Sequence, residues 1–196
     1  MGMQEQLWAP WRMNYIKGLS PSPAEADPKS ASESAPEVGP AVAPGKSPER
    51  NPCFLCEAAE AETGSDAARQ RLVLLHDERG VIVLNRYPYT TGHLLVAATE
   101  HLADLTDLTA TQRAGLIELT ALAEQAVRLA FAPQGINVGM NLGRCAGAGL
   151  PDHLHVHIVP RWNGDTNFMG IVGQVRVIPQ ALEESYAVLR EALKRV

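Results

Sequence analysis

Three histidines alternate with aliphatic residues near the end of the chain, at His153, His155 and His157. On a β-strand, side chains at alternate positions share one face and lie about 6.5–7 Å apart. Imidazole near its pKa of about 6.5 can act as a nucleophile or as a proton donor. The simplest alternative is the polar face of a half-buried strand. Because three of the six histidines alternate strictly, the pattern favours a catalytic strand.

The segment His153-Leu154-His155-Val156-His157-Ile158-Val159-Pro160, followed by Arg161, resembles the signature of the histidine-triad nucleotide hydrolases and transferases. The resemblance implies that His155 attacks the α-phosphorus of an adenine nucleotide and forms a nucleotidyl-imidazole intermediate. Water, phosphate or another acceptor would then release the nucleotide. The residue chemistry is compatible, since a carbonyl that accepts from Nδ1–H leaves Nε2 free to attack. His157, on the same face, could donate to a phosphate or leaving-group oxygen.

A second segment, Asn85-Arg86-Tyr87-Pro88 followed by Gly92-His93-Leu94-Leu95-Val96, is also similar to that family. Taken alone, His93 could be a capped or core histidine. The resemblance implies that His93 is a fourth histidine supporting the triad and that Asn85 binds the ribose. It also implies a position near the α-phosphate for Asn141.

The chain contains a Cys-x-x-Cys motif at Cys53 and Cys56. Such a pair can supply half of a tetrahedral metal site, or it can be a redox pair. We expect no redox role, because the motif does not read as the start of a helix after a strand. The resemblance to zinc-containing family members and to galactose-1-phosphate uridylyltransferases implies a structural zinc bound by Cys53, Cys56, His101 and His153. Zinc on His153 would help to orient His155.

The loops beside the triad resemble one bacterial branch of the family, which is similar to diadenosine tetraphosphate phosphorylases. The matching segments are Ala146–Gly149 before the triad and Pro160–Met169 after it, with Leu7–Ile16 and Gly173–Gln180 further away. This resemblance implies phosphate as the acceptor. Gly147 would let backbone N–H groups approach a phosphate.

A phosphate dianion needs cations or hydrogen-bond donors where it enters. The candidates are Arg144, Arg161 and Asn167, although each arginine could equally be a solvated surface charge. Two other functions remain open: a hydrolase of dinucleoside polyphosphates or adenosine phosphoramidates, and a non-catalytic nucleotide sensor. The sensor ranks last because all four histidines are present.

The hydrophobic pattern predicts an α+β domain built on an antiparallel sheet, with a long helix and a C-terminal helix. A turn at Asp77–Gly80 predicts a hairpin between two short apolar runs. The predicted strands are 72–75, 81–84, 94–97, 136–142 and 153–159, and the predicted helices are 109–131 and 179–194. The family resemblance implies the same fold.

Composition divides the chain into three parts. Residues 1–18 are rich in aromatic side chains and are expected to pack on the domain or on a partner subunit. Residues 19–50 are rich in Pro, Ser and Ala, and predict a flexible linker. Residues 51–196 form the expected catalytic domain. The resemblance further implies a homodimer joined through the long helix and the sheet edge.

A formal net charge of −5 argues against a general nucleic-acid binder, which needs a basic surface. No apolar run is long enough to span a membrane, and the first residues do not read as a signal peptide. Three cysteines do not form a secreted disulfide framework. The expected location is therefore cytoplasmic, and the expected partners are adenine nucleotides and phosphate.

Overall fold

The computed structural model describes residues 53–166 and 178–196. The aromatic segment 1–18, the linker 19–50 and Asn167 lie outside the described residues, so the predictions made for them stay predictions.

A five-stranded antiparallel sheet forms the centre of the domain. Its strands are β1 Val73–Asp77, β2 Gly80–Leu84, β3 Leu94–Ala97, β4 Gly135–Met140 and β5 His155–Arg161, in the spatial order β1-β2-β3-β5-β4. All four neighbouring pairs are antiparallel. The predicted hairpin and the α+β class are confirmed. The last strand is inserted between two earlier ones, so the triad strand is hydrogen-bonded on both sides.

Strand β5 begins two residues later than predicted, at His155 rather than His153. Just before it, the backbone N–H of Leu154 donates to the carbonyl of Leu102 at 2.7 Å, a residue outside the sheet. Within β5, Val156 and Ile158 are buried as the alternation predicts. His155 and His157 therefore share a strand face, whereas His153 precedes the strand and belongs to different surroundings.

Within residues 53–166 and 178–196, four α-helices flank the sheet: α1 Phe54–Ala59, α2 Asp66–Gln70, α3 Ala110–Phe131 and α4 Leu182–Leu193. The long helix starts with a capping box, in which the Thr109 side chain accepts from the Gln112 N–H and the Gln112 side chain accepts from Thr109. Such a pair satisfies two donors that would otherwise be unbonded at the helix start. Both predicted helices are confirmed. Among the described residues, no helix is long and apolar enough to cross a bilayer.

Helix α3 packs against the sheet through a buried stripe that includes Leu116, Leu119 and Ala123. Helix α4 packs beside α3, and its Tyr186 hydroxyl donates to the carbonyl of Val73 at 2.9 Å. These contacts give the sheet one covered face. The end of α3 also reaches the loop that carries His93, through Phe131 and Gly92.

Gly92 should resist substitution because its φ is +77° and a Cβ there would lie 2.7 Å from Cδ2 of Phe131 and closer still to Cε2. Backbone strain of this kind costs about 1–3 kcal/mol. We therefore expect Gly92→Ala to lower the free energy of unfolding in urea by about that amount. Gly149→Ala is the matched control, since a Cβ at Gly149 meets nothing within 4 Å. Equal losses in the two variants would contradict this explanation.

Candidate active site and metal centre

His155 stands at the start of β5 with only 6% of its surface exposed. Its Nδ1 lies 2.8 Å from the carbonyl oxygen of His153. A carbonyl can only accept, so Nδ1 carries the proton and donates it. In the neutral ring the Nε2 lone pair is then free to attack an electrophile, which is the arrangement expected from the sequence.

His157 and His93 extend the site beside His155. The ring centroids of His155 and His157 are 4.9 Å apart, in an edge-on arrangement. His93 is fully buried, and its Nε2 lies 2.9 Å from Nδ1 of His157. The structure therefore places the fourth histidine against the triad, as the resemblance implied.

The Nε2 atom of His157 is buried and has no hydrogen-bond partner among residues 53–166 and 178–196. Burial, and after it the charge of His155, lower the pKa of His157. The ring is accordingly neutral near neutral pH. A buried polar nitrogen without a partner is costly in a stable protein unless a ligand uses it. His157 Nε2 is thus a candidate contact for substrate.

The lowered pKa of His157 predicts a pH-dependent stability. In the unfolded chain the histidine pKa is about 6.5, so between that value and the lower folded-state pKa the unfolded chain binds more protons. The contribution of the neutral His157 ring to the free energy of unfolding is present above about pH 6.5 and is lost as the pH falls through the folded-state pKa. We expect the free energy of unfolding, measured in urea at several pH values, to fall less steeply with decreasing pH in His157→Asn than in the wild type. His76→Asn, a change in β1 away from the triad, should leave this decline intact; equal effects would contradict the assignment.

Asn85 lies against His93, with its Nδ2 3.2 Å from Nδ1 of the histidine. Its Oδ1 accepts from the backbone N–H of Tyr87 at 2.9 Å. The amide is therefore engaged with the loop and with His93, in addition to the ribose role that the resemblance implies. His93 and His157 lie between Asn85 and His155 in a series of contacts.

Two further predicted substrate residues lie close to each other. The Asn141 Nδ2 donates to the carbonyl of Gly147 at 3.5 Å, which is at the long limit for a hydrogen bond. Gly147 has a φ of +91° and follows a short 3₁₀ helix, Arg144–Ala146, that the sequence did not predict. Asn141 thus joins the end of β4 to the glycine-rich loop.

Arg161 is held in an ion pair that the sequence did not predict. Its Nε and Nη2 donate to the two carboxylate oxygens of Asp165, at 2.6 and 2.9 Å, and Nη1 donates to Oδ1 of Asn137 at 2.9 Å. Hydrogen bonding to Arg161 is the main cause that lowers the pKa of Asp165 to about 2. The spacing of four residues was no signal for this pair, because Arg161 ends β5 and Asp165 lies in the loop that follows, whereas that spacing brings side chains together on a helix. The exposed Arg144 is the less engaged of the two candidate cations.

Cys53, Cys56, His101 and His153 come together in one cluster, with one ligand atom from each within 4.8 Å of the others. Nδ1 of His153 lies 3.3 Å from Sγ of Cys53 and 3.5 Å from Sγ of Cys56, while Nδ1 of His101 lies 3.3 Å from Sγ of Cys56. Two thiolates and two imidazoles are a donor set that suits tetrahedral zinc. The four residues predicted from the sequence are thus adjacent.

The ring of His153 is oriented for metal binding. Its Nε2–H donates to the carbonyl of Ala98 at 3.0 Å, which leaves the Nδ1 lone pair towards the cysteines. Burial lowers the pKa of His153, and a metal ligand must be deprotonated. The carbonyl of this same residue accepts the proton of His155 Nδ1. One residue therefore connects the cysteine–histidine cluster to His155.

The expectation that Cys-x-x-Cys does not open a helix is wrong in part. Cys53 is the N-cap of α1, and Cys56 lies within that helix. A helix start is also where redox cysteines lie. Two histidine nitrogens in contact with the sulfurs still favour metal binding, because they complete a set of four ligands.

Comparison with known proteins agrees with this arrangement. A family model described as HIT domain matches residues 67–164, half of the chain. The chain is 38% identical over 185 residues to AP-4-A phosphorylase of Mycobacterium tuberculosis, covering 94% of this chain and 82% of that protein. These matches show that the chain belongs to the HIT family.

Two solved structures share the fold. One is a Zn-bound histidine triad family protein from Mycobacterium smegmatis, 31% identical, with a TM-score of 0.57 and coverage of 73% of this chain and 94% of that one. The other is a hypothetical histidine triad nucleotide-binding protein from Sulfolobus tokodaii, 25% identical, with a TM-score of 0.57 and coverage of 73% and 93%. The family match and the phosphorylase relative together support an enzyme that acts on nucleotides.

Proposed function

We propose that this chain is a phosphorylase of diadenosine polyphosphates, which converts diadenosine tetraphosphate and phosphate into ADP and ATP. The observation that carries the proposal is the hydrogen bond from His155 Nδ1 to the His153 carbonyl, because it leaves an unprotonated Nε2 beside His157. The substrate class is supported by the similarity to the M. tuberculosis phosphorylase over 94% of the chain.

In the first step, Nε2 of His155 forms a bond to the α-phosphorus of one adenosine. The bond between that phosphorus and its bridging oxygen breaks, and ATP leaves. The Nε2–H of His157 donates to an oxygen on which negative charge develops, which stabilises the transition state. The remaining adenylyl group is bound covalently to His155.

In the second step, an oxygen of inorganic phosphate attacks the same phosphorus. The P–N bond to His155 breaks, ADP leaves, and the neutral imidazole is restored. Asn141, Gly147, Arg144, Arg161 and Asn167 are the proposed contacts for nucleotide and phosphate. Arg161 would have to share its guanidinium with Asp165, so Arg144 is the stronger proposal for the acceptor cation.

We also propose zinc as the metal of the four-residue cluster. When bound, it would supply a structural crosslink between the Cys53–Cys56 segment and the start of the triad strand. The chain's own contribution is the His153 carbonyl, whose position determines where the His155 ring can donate its proton.

A homodimer is proposed as the assembly. Ile117 and Leu129 on α3 and Val138 on the edge strand β4 are large apolar side chains between 41% and 57% exposed. Exposed apolar patches commonly mark subunit interfaces. Light scattering that gives the mass of a single chain would contradict this assembly.

The function is tested with purified protein and diadenosine tetraphosphate, with and without inorganic phosphate. The proposal predicts ADP and ATP in equal amounts, formed only when phosphate is present. AMP and ATP formed regardless of phosphate would overturn phosphorolysis and identify a hydrolase. Binding without any turnover would identify the nucleotide sensor instead.

A further inference from the structure

The donors and acceptors around His93 can be assigned, starting from a backbone N–H group. The N–H of Tyr89 lies 3.1 Å from Nδ1 of His93. A backbone amide nitrogen can only donate, so Nδ1 of His93 must accept and carries no proton. A protonated, positively charged His93 is incompatible with this bond.

The side-chain amide of Asn85 also donates to His93. Its Oδ1 already accepts from the backbone N–H of Tyr87 at 2.9 Å, which identifies the other amide atom as Nδ2. Nδ2 lies 3.2 Å from Nδ1 of His93 and can only donate. Two donors from one short loop therefore converge on a single acceptor nitrogen.

The assignment of His93 also determines the tautomer of His157. Since Nδ1 of His93 is unprotonated, the neutral ring carries its proton on Nε2 and donates it to Nδ1 of His157 at 2.9 Å. His157 must then be the tautomer with its proton on Nε2. That nitrogen is the buried atom without a partner among the described residues.

We infer that Asn85 and the backbone N–H of Tyr89 are positioning groups that, through His93, hold His157 in the tautomer that donates from Nε2. In the opposite tautomer, Nε2 of His157 would present a lone pair and repel a phosphate oxygen. Asn85 and the Tyr89 N–H act on His157 through two successive hydrogen bonds, one to His93 and one from His93 to His157. The role in turnover rests on the proposed function, whereas the tautomer is a property of the resting protein.

The effect of the Tyr89 side chain can be separated from that of its backbone N–H by two substitutions. Its ring covers His93 at 4.6 Å and His157 at 5.9 Å between centroids. Tyr89→Pro removes both the ring and the N–H, whereas Tyr89→Ala removes the ring alone. The difference between these two variants isolates the backbone donor, and Asn85→Ala removes the side-chain donor without touching it.

The first measurement is ¹⁵N NMR of histidine-labelled protein near neutral pH, without substrate. The wild type and Tyr89→Ala should show His157 with Nε2 protonated and Nδ1 unprotonated. Asn85→Ala and Tyr89→Pro should each show a mixture of tautomers at His93 and His157, and the double variant a larger one. Nδ1 protonated at His157 in the wild type would overturn the inference, as would unchanged tautomers in both donor-deleted variants. The wild-type and Asn85→Ala spectra decide it even if Tyr89→Pro does not fold.

The second measurement is turnover of diadenosine tetraphosphate with phosphate. Loss of one neutral hydrogen bond predicts a fall in kcat of about tenfold for Tyr89→Pro relative to Tyr89→Ala, with little change in KM. If Asn85 acts only on the ribose, Asn85→Ala will raise KM and leave the tautomers unchanged, and its positioning role is refuted. Absence of turnover in a wild type with the expected tautomers would refute the proposed function and leave the tautomer assignment standing.

Discussion

Replacing His155 with alanine is expected to reduce turnover of diadenosine tetraphosphate by at least about 10⁴-fold, as removal of a nucleophile does in other enzymes that form covalent intermediates. The reason is specific to the geometry. His155 has its Nδ1 proton donated to the carbonyl of His153, so its Nε2 is the atom prepared to attack phosphorus. His157 is prepared as a donor instead, because its Nδ1 accepts from His93.

The measurement is initial rate with phosphate present, together with the mass of the protein after exposure to substrate without phosphate. The wild type should gain one adenylyl group, and His155→Ala should gain none. His76→Ala is the matched control, since it removes a histidine from β1 without touching the triad. Retention of turnover by His155→Ala, or an adenylyl group on that variant, would refute His155 as the nucleophile.

Replacing Cys53 with serine is expected to abolish stoichiometric zinc binding and to lower stability. Cys53 is buried, and its Sγ lies 3.3 Å from Nδ1 of His153. Serine keeps the size of the side chain and can still cap a helix, but it is a poor zinc ligand. Zinc present at a thousandfold over its dissociation constant stabilises a folded protein by about 4 kcal/mol. We expect Cys53→Ser to lose stability of that order.

The same change should reduce kcat about 10- to 100-fold, because His153, a proposed zinc ligand, supplies the carbonyl that accepts from His155. Metal content by elemental analysis, thermal unfolding with and without a chelator, and initial rates together check the prediction. Cys145→Ser is the matched control, since Cys145 is exposed and outside the cluster. Equal zinc content and equal stability in the two variants would contradict the proposed metal centre.

Much of the fold could be predicted from local patterns. The capping residues and apolar spacing of the long helix lie within a few residues of one another. The helix begins at Ala110, one residue after the predicted start, with Thr109 as its N-cap, and it ends at Phe131 as predicted. The hairpin of β1 and β2 depends on a short turn between neighbouring strands. The order of the strands could not be derived in this way. Placing β5 between β3 and β4 depends on contacts between residues that are distant in the chain.

In the candidate site, too, the residue types could be predicted from the sequence, whereas their bonding partners depend on the fold. Arg161 was expected to meet phosphate, and its pairing with Asp165 and Asn137 depends on how β4, β5 and the following loop lie together. Asn85 was expected to meet the ribose, yet the direction of its amide is determined by Tyr87 N–H and His93. Residue type limits what a side chain can bind, but only its neighbours decide which bond it makes.

The alternation of histidines by itself predicted one shared face for all three, because successive side chains of a strand point to opposite faces. This holds for His155 and His157, while Val156 and Ile158 enter the core. Only the tertiary structure decided that His153 leaves this face and lies against Cys53, a residue 100 positions away. It also decided which nitrogen of each ring carries a proton, through the carbonyl of His153 and the N–H of Tyr89. A local period is encoded by the backbone geometry of a few residues, whereas the roles within the triad depend on hydrogen bonds that form only after distant segments have packed.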